Sequence, residues 1–257
     1  MGLVTKPGLQ VAVGQPAINP TPQKMIKENI QDILPQGKGA CVKISVPAGR
    51  KLAEKTLNPK LGIQGGISIL GTTGIARSMT MESYKNSFKC QLDVALAEGY
   101  DKLIFVPGNI GEKIAQQILN VSDDQIIHMG NFPGFMLSEA AKMDIKQIIL
   151  LGHAGKIIKL AAGIFNTEHR VADGRREVIA AHAALNGAKQ ETIRKIFQAI
   201  TTEEMMEILE DENLLKETFN SIAQSIKENC QEIFPGKLYV IVVKMDGTVL
   251  NSINLPN

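Results

Sequence analysis

From Leu61 onward the chain repeats one unit: a short apolar run, a glycine-bearing turn, then a helical pattern. The stretch Gly65-Gly66-Ile67-Ser68-Ile69-Leu70-Gly71-Thr72-Thr73-Gly74-Ile75-Ala76 opens the series, reading as a strand over 67–70, a turn and a helix start. Further strands are expected at 102–106, 125–128 and 147–151, with helices over 79–98, 110–119, 134–143 and 155–163. Such alternation folds as βαβ units with right-handed crossovers, which makes the sheet mostly parallel. Runs this short and this apolar suit strands buried on both faces. The expected fold class is therefore α/β. A Rossmann-like, mostly parallel sheet domain spans 61–190. A smaller, partial α+β domain precedes it over 1–60, and a helical segment with a C-terminal hairpin over 191–257 completes the fold.

The flanking regions carry weaker patterns. Before Leu61, strands are expected at 9–13 and 40–46, with a helix from Pro22 to about Leu34 and a short one over 50–55. So few elements cannot bury a core alone. After the repeats, Thr201-Thr202-Glu203-Glu204 reads as a capped helix start, and Asp246-Gly247 between two apolar runs reads as a hairpin turn.

Bulk properties exclude several classes. At 44% hydrophobic the 257 residues bury a core, and a net charge of +2 makes no case for nucleic acid. No apolar run of about 18 residues is present, so no spanning helix and no membrane partner are expected. Pro7 and Gly8 interrupt any signal-peptide pattern, and Pro7 also holds the position where myristoylation needs Ser or Thr. Three dispersed cysteines point to a reducing compartment, so the expected location is cytoplasmic. The four histidines show no metal-ligand spacing, and no metal site is expected. A homo-oligomer is compatible with the sequence.

Each expected strand ends in a glycine turn. The turns are Gly71-Thr72-Thr73-Gly74, Pro107-Gly108-Asn109-Ile110-Gly111, Gly130-Asn131-Phe132-Pro133-Gly134 and Gly152-His153-Ala154-Gly155-Lys156. In open α/β sheets the carboxyl ends of the strands hold the ligand. Neither GxxxxGK[ST] nor GxGxxG occurs, which disfavours a P-loop enzyme and an ordinary NAD site. A nucleoside-type cofactor or a phosphometabolite remains open. A second patch, 156–176, carries Lys156, Lys159, Arg170, Arg175 and Arg176 against Glu168 and Asp173. Cations near a helix N-terminus suit an anionic partner; a solvated basic face is the plainer reading. His153 lies in the crevice and His169 in the basic patch, whereas His128 and His182 read as core or helix residues.

At these residues the chain resembles cobalt-precorrin-5B C1-methyltransferase. The likeness is carried by the first turn, by Val106-Pro107-Gly108-Asn109-Ile110-Gly111-Glu112, by Gly130-Asn131-Phe132 and by Gly152-His153-Ala154-Gly155-Lys156. Lys159-Leu160-Ala161, Asn166-Thr167, Ala172-Asp173, Thr5-Lys6-Pro7-Gly8-Leu9 and Asn58-Pro59-Lys60-Leu61-Gly62 extend it. The family commonly shows Thr-His-Ser at Thr167-Glu168-His169 and a proline at Ser78, and against its longer N-terminal region this chain is expected to be a shortened member, a fragment or half of a split enzyme. The resemblance implies methyl transfer from S-adenosylmethionine to C1 of an anionic macrocycle, cobalt-precorrin-5B, in anaerobic cobalamin biosynthesis. It puts the cofactor at Gly71, Thr72, Thr73, Gly74, Pro107, Gly108, Asn109, Gly130 and Asn131. It puts the substrate at His153, Lys156, Lys159, His169, Arg170 and Arg175. The two sets could exchange, and no general base is assigned. A non-catalytic tetrapyrrole-binding protein, or a truncated fragment of the enzyme, is the alternative.

Overall fold

The structure is a computed structural model and describes residues 1–71 and 80–253. Its contacts divide the chain into two compact units, Met1–Gly99 and Tyr100–Asn257.

The first unit contains β1 (Leu3–Val4), α1 (Pro20–Gln31), α2 (Gly49–Ala53), β2 (Ile63–Gln64) and α3 (Met81–Ala97). β1 and β2 pair antiparallel, Leu3 opposite Gln64. Around them Val4, Val11, Ala17, Leu61, Ile63 and Val94 form a small core. α3 starts at Thr80, whose hydroxyl accepts the Ser83 N–H at 3.1 Å, and it buries Phe88, Leu92, Val94 and Ala95. α1 buries no residue. Residues 67–70, expected as the first strand of the parallel sheet, belong instead to this unit. Ile69 bridges Ile18 and its N–H bonds the Ala17 carbonyl at 2.8 Å, while the Ile67 carbonyl accepts the Gly2 N–H at 2.8 Å. The apolar run thus pairs with the N-terminal residues that precede it. The expected strands at 9–13 and 40–46 do not form; Val42, within the second, is exposed. Alternation alone makes no strand without a neighbour to take its backbone hydrogen bonds.

The second unit contains β3 (Lys102–Val106), α4 (Asn109–Ile118), β4 (Ile126–His128), α5 (Pro133–Ala141), β5 (Gln147–His153) and α6 (Ala154–Ile157). Then follow α7 (Arg175–Leu185), α8 (Gln190–Gln198), α9 (Thr202–Asp211), α10 (Leu215–Gln231) and β6 (Lys237–Val243). The sheet has the order β4-β3-β5-β6 and every pairing is parallel. In register, Val106 lies beside His128, Phe105 beside Leu150, and His153 beside Val243. The core on one side joins Ile104, Val106, Ile114, Ala115, Ile149, Leu151, Ile241 and Val243.

The α/β class and parallel sheet are as expected, but the fourth strand is β6. The expected hairpin survives as a tight turn with the Lys244 N–H bonded to the Thr248 carbonyl at 2.8 Å, and its return is a single bridge, Val243 to Val249. Beyond the bridge, the buried Asn251 side chain closes the outer edge of β6. It accepts the Val242 N–H at 2.8 Å and donates to the Val240 carbonyl at 2.9 Å. An edge strand so covered cannot template a further pairing there.

Candidate functional site

Strand order selects the site. From β3 the chain runs through α4 to β4 on one side, and from β5 through the later helices to β6 on the other. The two connections diverge between the carboxyl ends of β3 and β5, which is where open α/β sheets form a ligand crevice. Pro107-Gly108-Asn109 follows β3, His153 ends β5, and Gly130-Asn131 follows β4.

The glycines at this edge differ in what they do. A side chain at Gly152 would lie 3.0 Å from Pro107 Cγ, one at Gly111 3.0 Å from Val106 Cβ, and one at Gly134 2.7 Å from Phe165 Cβ. Those three are glycine because neighbouring atoms fill the space. Gly130 adopts the left-handed region at φ 56°. Gly108 is unlike all of them. Its backbone is extended at φ 167°, and a Cβ there would meet nothing within 4 Å. Neither packing nor conformation demands a glycine, so its bare backbone is available to a ligand. Exposed Asn109 starts α4, and the first intrahelical bond runs from the Glu112 N–H to the Gly108 carbonyl at 3.0 Å. The N–H groups of 109–111 precede that ladder and present the positive end of the helix.

On the β5 side, charge is spent on holding a loop. Lys159 is 3% exposed, and its ammonium donates to the carbonyls of Thr167 at 3.2 Å and Ala172 at 2.8 Å. Burial pushes its pKa down, partly offset by Asp173. The expectation that Lys159 displays charge to a substrate therefore gives way to a staple across the loop 163–174. The loop is tied at a second point by Asn131. Its carbonyl accepts the Thr167 N–H at 3.0 Å, and its side chain donates to Glu168 Oε2 at 2.6 Å. At the loop's end Arg175 grips Asp173 through Nε to Oδ1 at 2.5 Å and Nη2 to Oδ2 at 2.8 Å. That fork holds the Asp173 carboxyl down at about 2, and Arg175 also reaches Thr202 Oγ1 at 3.4 Å.

The remaining candidates face outward or sit half-buried. His169 and Arg170 are exposed, and His169 Nδ1 lies 2.7 Å from Glu168 Oε1. Lys156 is half-buried, with a pKa lowered chiefly by that burial. His153 is half-buried; burial, then the Lys156 charge, lowers its pKa and favours the neutral ring. Gly71 lies in the first unit, and Thr72, Thr73 and Gly74 lie outside the described residues. Among the described residues no group of three or more His, Cys, Asp or Glu could hold a metal.

One pair escapes a reading by motif. His128 ends β4, and its Nε2 meets Glu112 Oε2 in the first turn of α4 at 2.9 Å. The histidine side chain is 8% exposed and the carboxylate 18%. Glu112 stands inside the quoted 106–112 motif, but only the parallel register of β3 and β4 brings His128 to it. His182, read as a helix residue, is one: its Nδ1 pairs with Ser221 Oγ at 2.8 Å, joining α7 to α10.

Two family models match the chain: CbiD over residues 1–78, and CbiD, C-terminal domain, over 166–253. Proteins named cobalt-precorrin-5B C(1)-methyltransferase are among its relatives. That of Methanobrevibacter smithii is 55% identical over 98% of this chain and 70% of its own length. Those of Methanosphaera stadtmanae (52%, covering 100% and 68%) and Methanocaldococcus jannaschii (53%, covering 98% and 70%) are similar. A crystal structure described as cobalamin biosynthesis protein (cbiD) from Archaeoglobus fulgidus shares 26% identity, covering 64% of this chain and 54% of its own, with a TM-score of 0.25.

Proposed function

The chain belongs to the CbiD family of cobalt-precorrin-5B C(1)-methyltransferases, and from that premise we propose that it transfers a methyl group to C1 of cobalt-precorrin-5B at the β3/β5 crevice. The observation that carries the placement is Gly108, bare and unobstructed at the switch point of a parallel sheet. S-adenosylmethionine, the methyl donor of this enzyme class, supplies an electrophilic methyl on a sulfonium sulfur that a carbon nucleophile takes in line. The chain's residues have to bind, align and exclude water, and alignment is the larger share of such a reaction.

Pro107-Gly108-Asn109 lets a nucleoside cofactor approach the backbone, and the N–H groups of 109–111 suit its carboxylate. Asn131 and Arg175, committed to Glu168 and Asp173, shape the loop instead of holding a ligand directly. Lys156 and Arg170 are left to meet the carboxylates of the macrocycle, and His153 at the end of β5 and exposed His169 remain as its further candidate contacts. A cytoplasmic location accompanies this reading; among the described residues no helix is long and apolar enough to cross a membrane.

The test is calorimetric titration with S-adenosylhomocysteine of the wild-type chain and of Gly108→Val. The wild type binds, and the variant, equally stable, binds at least about tenfold more weakly, a loss of ~1.4 kcal/mol. Equal affinity in a folded variant removes the cofactor from this turn. Macrocycle binding without methyl transfer would leave a tetrapyrrole carrier in place of an enzyme.

A further inference from the structure

We propose that His169 is the axial ligand to the cobalt of the bound macrocycle. The proposal deepens the methyltransferase reading and rests on it: a cobalt-precorrin brings its own metal, whose equatorial plane is filled by the macrocycle's nitrogens. Such a metal asks the protein for a single donor on one face.

His169 meets the demand in exposure and in support. Its side chain is 74% exposed, on a loop that two independent ties hold in place. Its Nδ1 lies 2.7 Å from Glu168 Oε1. The other oxygen of Glu168 accepts the Asn131 amide at 2.6 Å, and the Glu168 N–H is taken by Asn166 Oδ1 at 3.1 Å. The carboxylate is thus anchored before it meets the ring. A hydrogen on Nδ1 directed into it leaves the lone pair on Nε2 pointing away from Glu168. A carboxylate that orients a histidine and raises its basicity is the usual companion of a metal-binding imidazole. The Lys159 staple through Thr167 and Ala172 brackets residues 168–171 and fixes where the ring sits.

The other three histidines are spoken for or enclosed. His128 is buried against Glu112, His182 is paired with Ser221, and His153 is half-buried at the end of β5. In the binding step the Nε2 lone pair forms a bond to cobalt and an axial water leaves. No electron is exchanged, and the Nδ1 hydrogen stays with the ring. Arg170, next in the chain and exposed, is available to pair with a peripheral carboxylate of the macrocycle.

The test uses cobalt-precorrin-5B reduced to cobalt(II) and electron paramagnetic resonance of its complex with the chain. One axial nitrogen splits the cobalt lines into triplets. The wild type gives triplets; His169→Ala loses them, and added imidazole restores them. Glu168→Gln keeps the triplets and weakens macrocycle binding by about 10–100-fold. A bound macrocycle without triplets, or triplets that persist in His169→Ala, overturns the proposal and leaves the methyltransferase reading standing. Failure of the wild type to bind the macrocycle overturns both.

Discussion

Two histidine–glutamate pairs sit in the second unit at nearly equal distance, 2.9 Å for His128–Glu112 and 2.7 Å for His169–Glu168. They do opposite work. The first joins the end of β4 to the first turn of α4, with both side chains largely enclosed. Its partners are far apart in sequence, so its value is in fixing tertiary structure. The second joins adjacent residues on a loop, 74% and 37% exposed, and the contact between ring and carboxylate itself spans no distant elements. Its value is in aiming a ring. Contact distance says little about role; burial and sequence separation decide whether a pair is a rivet or a pointer.

Stability measurements separate the two most widely. His128→Ala removes a buried ring and its bond to Glu112 and should cost about 2–4 kcal/mol. His169→Ala should change stability by less than about 0.5 kcal/mol. Urea unfolding of both variants checks this, and equal costs would break the distinction.

Next in size is the support beneath the pointer. Lys159→Met takes the donor from two carbonyls and should cost about 1–3 kcal/mol. The loss should be local, with faster hydrogen exchange over 164–174 and unchanged exchange in β3 and β5. A uniform change along the sheet would mean that Lys159 supports the core and not the loop.

The fork at the loop's end gives a smaller, pH-dependent effect. Asp173 is held at about 2, below its ordinary 3.8, by Arg175. A lowered carboxyl pKa adds stability that is fully present above about pH 4 and is lost as pH falls toward 2. The carboxylate is 55% exposed, so screening limits the contribution to at most about 1 kcal/mol. Arg175→Gln should flatten the acid limb of the stability profile in that window; an unchanged limb would show that the fork adds nothing.

The smallest expected effect is at the open glycine. Gly108→Ala should leave unfolding within about 0.5 kcal/mol of wild type. Gly152→Ala, with Pro107 carbons at 3.0 and 3.1 Å from the new methyl, should cost about 1–3 kcal/mol. Similar costs at both would remove the case for reserving Gly108 to a ligand.

The βαβ rhythm made β3, α4, β4, α5 and β5 legible, because short buried strands and their glycine turns are written locally. Residues 67–70 carry the same local signature, yet Ile69 pairs with Ile18. Strand formation is read from a run's own residues, whereas membership in a sheet depends on which distant backbone lies alongside it. β6 shows the converse: its run was visible, but nothing near it told that the chain would return through five helices to lie parallel to β5. At the candidate site, the turns at 107–109, 130–131 and 152–156 were legible as lying at the carboxyl ends of the strands. The commitments of Lys159, Asn131 and Arg175 to carbonyls and carboxylates were not, since a basic residue reads the same whether it faces solvent or its own loop.

By itself the sequence determined the α/β class, the edge of the sheet that gathers the glycine turns and the family, for these rest on local periodicity and on motifs in fixed order. Tertiary structure alone decided the strand order and so the switch point between β3 and β5. It also decided which glycine is open, and which of two similar histidine pairs is buried. Those outcomes turn on the surroundings each side chain meets once distant segments close on it, and burial, not residue type, sets what a charge or a ring can do.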